Sequence, residues 1–148
     1  MVIHTVGYTY APKEEAVRLG HCRQTIRKEP ERKIRCAGDE VLHHGWTGIP
    51  YRSPWSWRLR APLTEVLRIT AELDGFTETA HECYSIETDK RCDRPIVYDT
   101  KVPWDSYYAD MLARFDWSRP ACGLELREVL KSLKTLGKEP IRLEVLRW

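Results

Sequence analysis

The chain has 148 residues, of which 42% are hydrophobic and 31% are charged. This length and balance predict one globular domain and exclude a disordered chain. The formal net charge of +2 excludes a polycation, so binding of nucleic acid would require a local basic patch.

The first half of the chain predicts short strands around one helix. Residues 2–6 (VIHTV) and 23–27 (RQTIR) have the β-branched composition of strands. Residues 11–20 predict a helix between them that ends at a left-handed Gly20. Within residues 37–46 (AGDEVLHHGW), a Gly-Asp turn leads into a third strand.

The second half predicts further strands and two helices. Residues 63–73 (LTEVLRITAEL) alternate as a strand, and residues 141–148 (IRLEVLRW) close the chain as another. Helices are predicted at 105–117 and 124–137. Residues 74–103 show no sustained period, so we expect a long loop or an insertion there.

The same periodicity predicts which side chains face the core. In the strands these are Leu63, Leu67, Ile69, Ala71, Leu73, Ile141, Leu143 and Val145, with Arg68 on the opposite face. In the helices they are Tyr108, Met111, Leu112, Phe115, Leu124, Val129, Leu133 and Leu136. Several short strands with two or three helices predict a small, mostly β barrel or an α+β domain.

Basic residues are concentrated between Arg18 and Arg35, and residues 51–60 (YRSPWSWRLR) interleave arginines with aromatic residues. Guanidinium groups pair with phosphate, and aromatic rings stack on unpaired bases. This pattern favours single-stranded nucleic acid or a nucleotide as ligand. The alternative is a solvated basic strand with tryptophans that close one end of a barrel. The candidate nucleic-acid-binding residues are Arg23, Arg27, Lys28, Trp46, Tyr51, Arg52, Trp55, Trp57 and Arg58.

Five motifs, taken in order, resemble the ASCH domains of the PUA-like superfamily. They are GHCRQTIR, the turn in AGDEV, YRSPW, LARFDW and the closing IRLEVLRW. The resemblance covers nearly the whole chain and implies a single domain over 1–148, with 74–103 as an insertion. It also implies an α+β fold in which a PUA-like β-barrel of five to six strands is flanked by two or three helices. Members of the family bind RNA, and some cleave RNA or remove an acyl group from N4-acetylcytidine.

The resemblance also implies candidate catalytic residues. Thr25 and Arg27 match the Thr and Arg of the first motif, and Asp116 falls where the amidohydrolase branch has a catalytic glutamate. The catalytic lysine of that branch falls on Cys22, and a neutral thiol cannot stabilise an oxyanion as an ammonium does. Arg23 is the nearest cation in sequence, but adjacent strand residues face opposite sides.

Cys22 has two interpretations. Beside His21 and Arg23 it is either an activated nucleophile or a reduced thiol packed in the core. His81, Cys83 and Cys92 are possible ligands of a zinc ion. A structural zinc site uses four ligands, commonly with a close Cys-x-x-Cys pair, and no such pair occurs in the sequence, so no metal is predicted.

Three functions remain open. The first is binding of RNA, single-stranded nucleic acid or a modified nucleoside, and the second is hydrolysis of acylated cytidine or RNA through Thr25 and Asp116. The third is docking of a protein on the Trp-rich segment. We hypothesise that Thr25, Arg27 and Asp116 share one pocket.

Location and cofactors are predicted from composition. The odd number of irregularly spaced cysteines predicts reduced thiols and a cytoplasmic protein. No apolar run approaches ~20 residues and the N-terminus does not resemble a signal peptide, so we expect no membrane association. No cofactor is expected.

Overall fold

The computed structural model describes residues 2–30, 35–85, 90–132, 136 and 140–148, without the side chains of residues 80–99. Eight strands and three helices occur in this part of the chain, so the predicted α+β class is confirmed. In chain order they are β1 (Ile3–Gly7), α1 (Ala11–Arg18), β2 (Gln24–Lys28), β3 (Glu40–Trp46), β4 (Trp55–Pro62), β5 (Glu65–Glu72), β6 (Gly75–Ser85), β7 (Lys90–Pro103), α2 (Tyr107–Trp117), α3 (Gly123–Ser132) and β8 (Ile141–Arg147).

The strands form two sheets. The smaller has the order β1-β3-β4, with β1 parallel to β3, and the larger is antiparallel with the order β2-β8-β5-β6-β7. A buried cluster that includes Val6, Val41 and Leu146 draws on both sheets. The apolar faces of the strands therefore cover one another across two sheets.

A second core lies between the larger sheet and helices α2 and α3. It includes Ile69, Phe76, Leu112, Leu126 and Val145. Strand β8 lies between β2 and β5, and both of its faces are covered. The predicted inward residues of β8 are buried, as are Glu144 and Leu146 on its other face.

The described part of residues 74–103 is not a loop, so that alternative is wrong, whereas an insertion stays a prediction. Gly75–Ser85 and Lys90–Pro103 are paired strands, from Gly75 with Pro103 to Ser85 with Lys90, and we call them the hairpin β6–β7. Main-chain hydrogen bonds hold two paired strands whatever their side-chain period, so a polar hairpin escapes detection by hydrophobic alternation. The side chains of His81, Cys83 and Cys92 lie outside the described part of the chain.

Several predicted faces are also wrong. Arg68 is only 3% exposed because it pairs with buried Glu144. Among the residues predicted to face the core, Tyr108, Phe115, Leu124 and Val129 of the helices and Leu73 after β5 are exposed instead.

Small residues explain why the buried helical faces differ from those predicted. Ala109 of α2 and Gly123 of α3 are in close contact, since a Cβ added at Gly123 would overlap the Ala109 side chain. Small residues allow helices to approach closely, and a search for large apolar residues overlooks them. Leu112 is buried as predicted, and so is Leu136, whereas Leu133 lies outside the described residues. None of the described helices has the length and apolar character needed to cross a bilayer.

Candidate nucleic-acid interface

Strand β2 divides the candidate residues between two environments, because successive side chains of a strand point to opposite faces. On one face, the Gln24 amide donates to the Leu112 carbonyl of α2 at 2.9 Å. On the other, Arg27 donates through Nη2 to the Gly7 carbonyl of β1 at 3.0 Å and through Nε to Thr25 Oγ1 at 3.2 Å. Thr25 and Arg27 therefore face the smaller sheet, whereas Gln24 faces the helices.

A cleft of about 300 Å³ opens where β1 and β3 end and β4 begins. We call it the aromatic cleft, and its principal side chains are those of Arg27, Arg35, His44, Trp46, Tyr51 and Trp55. Its volume lies at the lower end of the range for small-molecule sites.

The rings of the aromatic cleft form a corner. His44 stacks on Trp55 with a centroid distance of 3.8 Å and an interplanar angle of 11°. Trp46 stands edge-on to His44 at 4.8 Å and 84°, and Tyr51 is tilted against Trp46 at 5.0 Å. The two aromatic walls are perpendicular, and Arg58 covers the face of Trp55 that points away from His44, so a flat ligand that stacks on Trp55 displaces the Arg58 guanidinium.

Gly7 makes room for this corner. A Cβ added at Gly7 would lie 2.9 Å from His44 Cε1 and 3.3 Å from Trp46 Nε1. The missing side chain allows both rings to pack over the end of β1, while the Gly7 carbonyl accepts the hydrogen bond from Arg27.

The loop that carries Tyr51 is held by its own hydrogen bonds. Ser53 Oγ accepts from the Gly48 amide at 3.0 Å and donates to the Ile49 carbonyl at 2.8 Å. Tyr51 has φ of 64°, which is uncommon for a residue other than glycine, and its side chain is 81% exposed. An exposed aromatic residue at a strained position is typical of a binding site.

The aromatic cleft carries uncompensated positive charge. Arg27 has no carboxylate partner among the described residues; its other contact is the Tyr8 ring, 4.9 Å from the guanidinium carbon. Arg35 and Arg68 share Glu144, at 2.7 and 3.3 Å. One net positive charge remains on that triad and another on Arg27, which favours an anionic ligand.

Two buried histidines behind and beside the cleft are neutral near pH 7. Burial, assisted by the charge on Arg27, lowers the pKa of His43 to about 4. His43 Nδ1 lies 2.8 Å from the Tyr8 hydroxyl, whose pKa is raised, chiefly by burial. Burial also lowers the pKa of His44. The neutral His44 ring stacks on Trp55 without adding a charge to the cleft.

Three residues of the aromatic cleft have buried nitrogens without a hydrogen-bond partner in the described part of the chain. These atoms are Arg35 Nε, His44 Nδ1 and Trp46 Nε1. Buried polar atoms are rarely left unpaired, because each costs about 1–3 kcal/mol. Their concentration here is typical of a site that hydrogen-bonds a ligand.

The free edge of β2 contacts a second group of polar residues, which we call the Lys13 cluster: Lys13, Cys22, Gln24 and Asp116. Lys13 Nζ donates to the Gln24 carbonyl at 2.7 Å and to the Asp116 carbonyl, and lies 3.3 Å from Asp116 Oδ1. The Ile26 amide also donates to Asp116 Oδ1, at 3.0 Å. Burial raises the pKa of Asp116, and Lys13 opposes this shift. All three donors of the ammonium are engaged.

Cys22 is a buried thiol in this cluster. It is 0% exposed, and its Sγ lies 3.2 Å from the carbonyl oxygens of both Gln24 and Asp116. The thiol donates hydrogen bonds to these carbonyls and is packed in the core between the sheets. The Lys13 cluster therefore binds α1, β2 and α2 to one another.

The predicted site residues fall in several places. Arg27, Trp46, Tyr51 and Trp55 meet in the aromatic cleft. Trp57 lies in the core between the sheets and donates to Glu14 at 2.7 Å, while Arg58 covers the Trp55 ring at 4.9 Å. Arg52 is exposed in the loop before β4. Arg23 lines a separate pocket, and Lys28 lines an apolar groove together with Asp116.

The three residues of the hypothesised pocket, Thr25, Arg27 and Asp116, do not lie in one pocket. Thr25 and Arg27 are hydrogen-bonded to each other on one face of β2, but Asp116 pairs with Lys13 at the free edge of the strand. No ion pair joins Arg27 to Asp116 in the described part of the chain. The main-chain amide of Ile26, and not an arginine, connects Asp116 to the strand.

Sequence reasoning missed Lys13, Arg35 and His44 as site residues. Lys13 lies in a helix whose pattern indicates only a solvated face, and its partner is 103 positions away. His44 carried a usable signal, because alternation places it on the same strand face as Trp46.

No protein-family model, curated protein or solved structure matches this chain.

Proposed function

We propose that this protein binds single-stranded nucleic acid or a modified nucleotide, with one unpaired base in the aromatic cleft. The observation that carries the proposal is the right-angled corner of His44, Trp46 and Trp55 beside the uncompensated charge of Arg27. Base–aromatic stacking contributes about 1–3 kcal/mol per base, and guanidinium groups bind phosphate. The similarity to ASCH domains and a PUA-like barrel built from the two sheets belong to the same proposal.

The charge of the cleft separates this ligand class from others that use aromatic walls. Methylated ammonium groups also bind between aromatic rings, but Arg27 and Arg35 would repel them. A base with its phosphate satisfies both the rings and the arginines. Duplex nucleic acid does not, because its bases are stacked and paired.

Hydrolysis receives less support from the geometry. Thr25 is 3% and Asp116 9% exposed, and the three donors of Lys13 are already engaged. A substrate carbonyl would have to displace these contacts before it reached either side chain.

The test is a binding titration with single-stranded RNA and with a duplex of the same sequence. We expect the single strand to bind more tightly, and Trp55→Ala to weaken its binding by about 1–3 kcal/mol. Trp117→Ala is the matched control, because Trp117 is a partly buried helix residue outside the cleft. Equal affinity for both RNAs, or equal losses in the two variants, would contradict the proposal. Binding of a protein without any effect of RNA would support docking on the Trp-rich segment.

A further inference from the structure

A second pocket of about 630 Å³ lies at the N-terminal end of β2. We call it the arginine pocket, after Arg23, Arg114 and Arg147, which line it with His21, Phe115 and Trp148. No aspartate or glutamate is among the described residues that line it. Its composition is therefore cationic and aromatic, like that of the aromatic cleft, but it is built from different elements.

One arginine of this pocket is held in place by the core. Arg147 Nε donates to Gln24 Oε1 at 2.9 Å, and Gln24 is only 2% exposed because its amide is bonded to α2. Arg147 Nη1 donates to Glu65 at 2.6 Å. A guanidinium fixed on two sides loses little side-chain entropy when it binds an anion with its remaining donors.

The other two arginines supply free charge. Arg23 and Arg114 are exposed, and neither has a carboxylate partner among the described residues. Three guanidinium groups against Glu65 leave two net positive charges around the pocket. Such an excess attracts phosphate.

The pocket also presents an apolar ring to solvent. Phe115 is 50% exposed, and the Arg147 guanidinium lies 6.0 Å from its ring centroid. An exposed phenyl ring among arginines suits a stacked base beside a phosphate.

The two pockets are connected through the core. The Trp148 ring of the arginine pocket lies 4.1 Å from His43, which is hydrogen-bonded to Tyr8 beneath Arg27 of the aromatic cleft. Arg23, just before β2, and Arg27 are four residues apart, or about 13 Å between Cα atoms in an extended chain. A strand of several nucleotides is long enough to occupy both pockets.

We propose that the arginine pocket binds the phosphodiester backbone of the strand whose base occupies the aromatic cleft. The ligand is then a single-stranded oligonucleotide and not a mononucleotide. This inference rests on the proposed function and specifies its ligand.

The test compares a mononucleotide with a single-stranded RNA of about eight nucleotides, within the usual site sizes of single-strand binders. We expect Arg23→Gln combined with Arg114→Gln to weaken oligonucleotide binding about tenfold or more and to reduce the salt slope by about 1.4, at ~0.7 per phosphate contact. Mononucleotide affinity should not change. The matched control is Arg60→Gln with Arg127→Gln, which removes the same charge from arginines that each pair with a glutamate outside both pockets.

Two results would overturn the inference: oligonucleotide affinity equal to mononucleotide affinity, or equal losses in the double variant and its control. Either result leaves the proposed function intact if Trp55→Ala still weakens mononucleotide binding. If the wild-type protein binds neither ligand, both proposals are wrong. Melting temperatures of all variants show that each protein is folded in the assay.

Discussion

The aromatic cleft and the Lys13 cluster use one face and the free edge of the same short strand, yet they differ in how their polar atoms are satisfied. In the Lys13 cluster, every ammonium donor has an acceptor and the carboxylate is paired. In the aromatic cleft, Arg27 lacks a carboxylate partner in the described chain, and three buried nitrogens lack hydrogen bonds. A saturated buried cluster stabilises a fold, whereas an unsatisfied one favours a ligand.

The largest expected effect is on the stability provided by the Lys13 cluster. Lys13→Met should lower the free energy of unfolding by about 3 kcal/mol, because it leaves Asp116 buried without its cation. Urea unfolding measures this loss. RNA affinity per folded molecule should not change, since Lys13 does not line the aromatic cleft.

Lys101→Met is the control for that substitution. Lys101 pairs with Glu72 and Asp74 at the surface, where ion pairs contribute about 1 kcal/mol or less. If both variants lose equal stability, the Lys13 cluster is not the structural centre that its geometry indicates. If Lys13→Met abolishes binding in a folded protein, the cluster belongs to the site.

Acid should destabilise the protein through His43. The folded-state pKa of about 4 lies below the ordinary histidine value of 6.5, so the unfolded chain binds more protons between these values. Stability is therefore complete above pH 6.5 and falls by about 3 kcal/mol as the pH approaches 4. His43→Gln should flatten this part of the stability curve, measured by urea unfolding at a series of pH values.

Asp116 should respond to pH with the opposite sign. Its folded pKa is raised above 3.8, so the native state binds more protons above that pH and its stability contribution falls as the pH rises through the folded pKa. Asp116→Asn should remove this component from the same curve. If His43→Gln and Asp116→Asn changed the pH dependence of stability in the same way, the environments of His43 and Asp116 would not be distinct.

Gly7→Ala should damage the aromatic cleft in particular. The added methyl group would lie 2.9 Å from His44 Cε1, so the ring must move, at a cost of about 1 kcal/mol in stability. We expect weaker RNA binding in a fluorescence titration. Gly48→Ala is the control, because its Cβ would meet the nearest atom, Ser53 Cβ, at an ordinary 3.6 Å. Unchanged RNA affinity in Gly7→Ala would mean that the corner of aromatic rings takes no part in binding.

The smallest expected effect is on salt dependence. Arg27→Gln should reduce the slope of log affinity against log salt by about 0.7, the value for one phosphate contact on a single strand. Arg60→Gln, which removes an arginine paired with Glu40, should leave the slope unchanged. An unchanged slope in Arg27→Gln would mean that Arg27 contacts no phosphate.

Local signals predicted most elements because they depend on short-range chemistry. Pro12 at the start of α1 and a capping residue at 105 or 106 before α2 are such signals, and the structure has Ser106 as the cap, accepting from the Ala109 amide at 3.2 Å. Gly20 has the predicted left-handed φ, at 77°. The hairpin β6–β7 was missed because its pairing depends on main-chain bonds that leave no hydrophobic alternation.

The sequence alone determined that Arg27 and Thr25 share a strand face and that arginines alternate with tryptophans before and along β4, since both follow from the period of a strand. Only the tertiary structure decided which of these residues meet. Strand pairing joins the ends of β1 and β3, which places Gly7 beneath His44 and Trp46, and the packing of α1 and α2 on β2 joins Lys13 to Asp116. Contacts between residues 35 to 103 positions apart depend on how the sheets and helices pack, and local periodicity carries no information about that packing.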